Sequence, residues 1–291
     1  MPARRAYAIT GIATLLFTSQ PSTPASAQSP WWLDSLGYTP SQAFAIQVGP
    51  DRYPYIPVRI NGTELQLLFD TGNMVGLTVA TAEFDRLRLP VTGTVRRRSS
   101  SGDVVGQFRI GRAERVEALS HVVTGVAIHE FQHPRFAGLY GPTHVPGDRF
   151  TLDYQRQVIA VGESVPGLPL EQGALPLVRS SHHPRLILVE GAVQGKAVLI
   201  ELDTGKSRTV VDPAWAKSIG LVVGSADTVR VGEVSVGDFV FDVRDAKPVS
   251  LGAIDPTLPS PLALSLGSDM LSRVVLTVDY ARGRALLLKP R

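Results

Sequence analysis

The stretch LLFDTGN, residues 67–73, carries an apolar strand straight into an aspartate. A carboxylate at the end of Leu67-Leu68-Phe69 is costly to bury unless something satisfies its charge. The pattern recurs in LIELDTGK, residues 199–206, where Asp203 closes a second apolar run. One Asp-Thr-Gly is an ordinary turn. Glycine permits positive φ and close approach of backbone N–H groups, and threonine can brace the loop through its hydroxyl. Two such turns, each ending a strand, can be the two halves of one site.

The flanking sequence supports that reading. INGTELQLLFDTG (60–72) aligns without gaps on VQGKAVLIELDTG (193–205), and in each a glycine, Gly62 or Gly195, precedes the aspartate by the same interval. Both glycines read as hairpin turns feeding the strand that ends at the aspartate. A short helix is expected behind each loop. In the second half it is capped by Asp212, opened by Pro213 and closed before Gly220; in the first it starts near Thr81 and stops before Pro90. The halves also end alike, Gly141 leading to TLDYQR and Gly267 to TVDYAR at equal spacing. Four features in one order make an internal duplication. Between them the chain is strand-like, with alternating runs such as 229–245.

Residues 1–27 are expected to be a signal peptide, with Arg4-Arg5, an apolar core over 6–17 and Ala25-Ser26-Ala27 as cleavage site. The expected divisions are an N-terminal segment 28–40 serving for packing, a first lobe 41–163, a Pro/Gly-rich linker 164–173 and a second lobe 174–291. Removing Arg4 and Arg5 from the 29 Lys and Arg leaves 27 bases against 26 acids. That near-neutral balance predicts no nucleic-acid or membrane partner. No run beyond the leader approaches the ~20 apolar residues of a membrane span. The absence of cysteine excludes disulfides and thiolate metal sites. The chain is therefore expected to be exported, periplasmic or secreted, without a membrane anchor.

The paired DTG loops, the helices behind them, the LYG and SLG glycine turns and the trailing DY strands resemble the retropepsin-like and pepsin-like aspartic proteases. The resemblance covers nearly all of the mature chain and is closest to bacterial single-chain forms with two fused retropepsin-like lobes. It implies an all-β, bilobed acid-protease architecture of two pseudo-twofold-related β-barrel lobes with short helices. It also implies that Asp70 and Asp203 are catalytic. Thr71, Gly72, Thr204 and Gly205 would support the two loops, and Gly141 and Gly267 would pack behind them. The family cleaves peptide bonds without metal, cofactor or covalent intermediate, so the expected partner is a polypeptide in an inter-lobe cleft and the expected state a monomer. Two carboxylates in contact cannot both ionise at low cost and so share a proton, as the aspartic-protease dyad does.

Two positions depart from the family pattern, where a small residue usually follows DTG. Asn73 can still donate a hydrogen bond to the pair. Lys206 is expected to reach outward to solvent; within ~4–6 Å of the carboxylates it would instead favour their doubly ionised form. Residues 94–110 read as a hairpin turning at 99–103, the candidate flap, with Arg96-Arg97-Arg98 as a solvated run. Alternatives remain open. One is a protease-like peptide-binding module without turnover, suggested by Lys206. The other is a zinc peptidase built on HEFQH (129–133), although that pattern needs a helix and here follows a β-branched run and precedes Pro134. The HEFQH stretch is expected to be a loop, and His144, His182 and His183 show no ligand spacing.

Overall fold

The computed structural model describes residues 29–98, 104–132, 135–167, 173–222, 224, 227–252 and 254–291. The expected signal peptide, the flap turn at 99–103, His133 and Pro134, and half of the linker (168–172) lie outside the described residues. The described chain is mostly β, and its three sheets are arranged by the duplication.

The first half opens with the hairpin Pro54–Ile60 and Thr63–Phe69, buried alternately along its first strand. Its two-residue turn places Asn61 and Gly62 at positive φ (46° and 84°), and the second half repeats this with Gln194 and Gly195 (50° and 79°) between Leu188–Val193 and Lys196–Leu202. Such primed turns match the right-handed twist of the strands they join. Each hairpin runs into its Asp-Thr-Gly loop, then a short strand, Leu77–Ala80 or Val210–Val211, and a helix, Thr81–Leu87 or Pro213–Ser218. The second helix is capped as the sequence predicts, Asp212 Oδ1 accepting from the Trp215 N–H at 2.9 Å. In the first, Arg88 takes the left-handed conformation at the C-cap.

The strand that carries each aspartate is then flanked by a parallel neighbour from later in the same half. Gly138–Tyr140 lies beside Thr63–Phe69, and Leu262–Leu266 beside Lys196–Leu202. These crossovers bring Gly141 and Gly267 directly behind the aspartate loops.

The third sheet joins the halves. Its order alternates nothing at random: Ala43–Ala45, Val158–Gly162 and Arg149–Asp153 come from the first half, Val275–Asp279, Arg284–Leu288 and Leu175–Pro176 from the second. The halves meet where Arg149–Asp153 pairs antiparallel with Val275–Asp279, in a register centred on Thr151 opposite Thr277. Those two threonines are equivalent in the duplication, so a local twofold axis passes between them; their hydroxyls are 2.9 Å apart.

Both faces of this sheet are covered. Phe150, Leu152, Leu276 and Val278 face the main core. On the opposite face Trp32, Leu33, Leu36 and Tyr38 pack on Ala160, Val275 and Leu286. Trp32 donates its indole N–H to Asp153 Oδ2 at 2.9 Å, and Arg149, fully buried, sits 4.0 Å over the Tyr38 ring and donates to the Leu36 carbonyl. The segment 29–42 is thus a packing element.

Candidate active site

Asp70 and Asp203 leave their strands in the same way. The Asp70 N–H donates to the Tyr140 carbonyl at 3.0 Å and the Asp203 N–H to the Leu266 carbonyl at 2.9 Å. Each carboxylate then accepts from the glycine two residues on, Gly72 N–H to Asp70 Oδ1 at 2.9 Å and Gly205 N–H to Asp203 Oδ1 at 2.8 Å. The turn the sequence predicts is therefore formed twice.

The loops are locked to each other by their threonines. Thr71 N–H donates to Thr204 Oγ1 and Thr204 N–H to Thr71 Oγ1, both at 3.0 Å. The hydroxyls pass the bond on across the interface, Thr71 Oγ1 to the Leu202 carbonyl at 2.9 Å and Thr204 Oγ1 to the Phe69 carbonyl at 2.5 Å. This reciprocal exchange is a second point on the local twofold, and neither threonine is more than 1% exposed.

The lock presses each glycine against the opposite carboxylate. A Cβ on Gly72 would lie 2.5 Å from Asp203 Oδ2, and one on Gly205 would collide with Asp70 Oδ1. Only hydrogen fits there. Gly141 and Gly267 are tight for the matching reason behind the loops, since a side chain would strike the Asn73 and Lys206 carbonyls respectively.

Each aspartate carboxylate thus lies against the glycine of the opposite loop, which brings the two acids next to each other. Burial, and then the charge of Asp203, raise Asp70 well above the ordinary carboxylate range, against the pull of Lys206 and the Gly72 N–H. Two neighbouring buried carboxyl groups resist ionising together, which favours sharing one proton between them. Beside the pair, Ser268 Oγ donates to the Thr204 carbonyl at 3.1 Å and so accepts from the Tyr154 hydroxyl at 3.0 Å.

Lys206 turns in towards the carboxylates and not outward, and here the sequence expectation is corrected. Its ammonium contacts Asp203 Oδ2 and lies 3.2 Å from Glu201 Oε2, with the side chain 24% exposed. The reason is Glu201, which the sequence reading passed over. It sits two residues before Asp203, hence on the same face of the strand, and its side chain is only 3% exposed. Two buried carboxylates hold the cation more strongly than water does. Burial works to lower Lys206, but the charges of Asp203 and Glu201 outweigh it and leave it raised. Burial, reinforced by Asp203, raises Glu201 despite Lys206. The available signal was a lone glutamate inside the apolar run 197–202, where the first half has Leu68.

Asn73 also differs from expectation. Its amide donates to the Gly76 carbonyl at 2.8 Å and accepts from the Val75 N–H at 3.3 Å, so it braces its own loop instead of the aspartates.

HEFQH begins in a strand, not in the loop expected: His121–Phe131 runs through its first three residues. Strand alternation sends His129 and Glu130 to opposite faces. Glu130 is taken by Arg109, accepting at 2.9 Å from Nη2 and 3.0 Å from Nε. Among the described residues no group of three His, Cys, Asp or Glu is placed to hold a metal ion. His182 lies 3.2 Å from Asp255 Oδ1, which also accepts from Thr257, while Oδ2 accepts from Ser180, so Asp255 reads as a loop brace.

No protein-family model matches the chain, and no curated protein matches it.

Proposed function

We propose that the protein is an aspartic endopeptidase in which Asp70 and Asp203 activate one water against a peptide carbonyl. The observation that carries this reading is the locking of two equivalent loops so that each carboxylate lies against the glycine of the other, with Asp70 raised by burial and by Asp203. In such a pair the anionic member takes a proton from water as its oxygen attacks the carbonyl carbon. The protonated member gives its proton to the carbonyl oxygen, and collapse of the tetrahedral diol returns a proton to the departing amine. Protons balance over the cycle and no covalent intermediate is needed. The proposal includes a bilobed architecture, an extended peptide held between the two halves with main-chain hydrogen bonds, a monomeric state and export to the periplasm or medium. The hairpin Val91–Arg98 and Val104–Ala118 is the segment proposed to close over substrate.

Among the described residues no helix is long and apolar enough to cross a membrane.

A second reading has its own support. With Lys206 on Asp203 Oδ2, the pair is biased towards its ionised forms, and a peptide-binding groove without turnover would carry the same fold. Mass-spectrometric profiling of a peptide library from pH 3 to 7, with and without a metal chelator, separates the two. Endoproteolysis unaffected by the chelator supports the peptidase. Binding of pepstatin with no cleavage at any pH supports the binding module, and cleavage lost on chelation contradicts both.

A further inference from the structure

We propose that Lys206 is a positioning residue that keeps the shared proton on Asp70 and thereby makes Asp203 the base of the pair. The two loops are alike in backbone but not in charge. Asp70 Oδ1 receives the Gly72 N–H, and the residue following that loop, Asn73, turns its amide to Gly76 and Val75. Asp203 receives the Gly205 N–H on Oδ1 and in addition the Lys206 ammonium on Oδ2. When two carboxyl groups compete for one proton, it resides on the one whose anion is less stabilised. That one is Asp70.

Lys206 is anchored for this task. Glu201 grips the ammonium from the far side at 3.2 Å, so the cation cannot swing to solvent without leaving two buried carboxylates behind. The groups facing the pair are Glu201 from its strand, Lys206 from its loop and the Tyr154 hydroxyl. Tyr154 is kept neutral because burial raises it far above its usual range. Lys206 is therefore the cation that breaks the symmetry between the loops.

Two consequences follow for the chemistry. Asp203 accepts the proton of the attacking water while Asp70 donates to the carbonyl oxygen; one O–C bond forms, the carbonyl π bond breaks and the pair's proton count is unchanged. A cation beside the pair also stabilises its singly and doubly ionised forms, so both apparent pKa values fall and the active window moves to lower pH. The first consequence and the shift of the active window rest on the hydrolytic reading; the place of the proton on Asp70 does not.

The test is a carbon-13 NMR titration of the aspartate side-chain carboxyls in the full chain, assigned with Asp70→Asn and Asp203→Asn. In the unsubstituted protein the last proton of the pair should be found on Asp70. In Lys206→Met both steps should rise by about 1–3 pH units and the difference between the carboxyls should shrink. Because Lys206→Met orphans Glu201, the titration is repeated on Lys206→Met with Glu201→Gln, which leaves no unpaired buried acid. Asp70 ionising first, or titrations in both variants that superimpose on the unsubstituted protein, would overturn the proposal. Turnover is read separately: if none of these proteins cleaves any peptide, the hydrolase reading fails while the titration still decides the role of Lys206.

Discussion

Thr71 and Thr204 each donate two hydrogen bonds and accept one across the interface between the loops, where both are buried. Thr71→Val keeps the shape but orphans the Thr204 N–H and the Leu202 carbonyl. It should cost about 2–4 kcal/mol in urea denaturation and loosen the pair enough to lower kcat more than it alters KM. Gly205→Ala is harsher, since its Cβ would overlap the Asp70 carboxylate; it should abolish turnover without a change in the strands, as read by circular dichroism. Arg109 and Glu130 supply a pH signature separate from that of the aspartates. The Arg109 hydrogen bonds lower Glu130 from 4.5 to about 2 in the folded chain. Its stabilisation is thus present above pH 4.5 and lost as pH falls through 2. Glu130→Gln should lower stability at pH 7 by roughly 1 kcal/mol and leave it unaltered near pH 1.5. Of these residues, Asp70, Thr71, Asp203 and Thr204 are legible from sequence because the motif repeats. The Lys206–Glu201 pair is not, since nothing in a linear pattern says whether a long cation turns inward.

At the scale of elements, the paired hairpins and helices follow from local chemistry: turn glycines, a capping aspartate and stopping prolines suffice to place them. The shared sheet does not follow locally, because it pairs strands far apart in the chain. TLDYQR and TVDYAR mark its two central strands, but only the coordinates put them side by side. The segment 29–42 is a similar case, two tryptophans legible as packing but not as the cover of that sheet. Trp32 is fully buried, and Trp32→Ala should cost about 3–5 kcal/mol, measured as a shift in urea midpoint, with the cleavage specificity of the remaining folded protein unaltered. Removal of 29–42 should expose the outer face of the sheet and cause aggregation, so maturation by excision of this segment is not expected. The strand character of His121–Phe131 shows why a short motif needs its context: HExxH is built for a helix, and β-branched residues before it favour extended backbone.

At the scale of the molecule, one relation accounts for both structure and chemistry. The local twofold that sets Thr151 against Thr277 in the shared sheet also exchanges Thr71 and Thr204 between the loops. The halves consequently stabilise one another, and unfolding in urea should be a single transition, with tryptophan fluorescence and circular dichroism coincident. Two separated midpoints would show that the halves fold independently. The same symmetry delivers two carboxyl groups to one point, and Lys206 then makes them unequal. Whether they act together on a peptide is decided most directly by comparing cleavage of a peptide library by the unsubstituted protein, Asp70→Asn and Asp203→Asn at matched stability. Hydrolysis by the first and none by either variant, each unfolding at an unchanged midpoint, is the predicted result; turnover at the unsubstituted rate in either variant would contradict it.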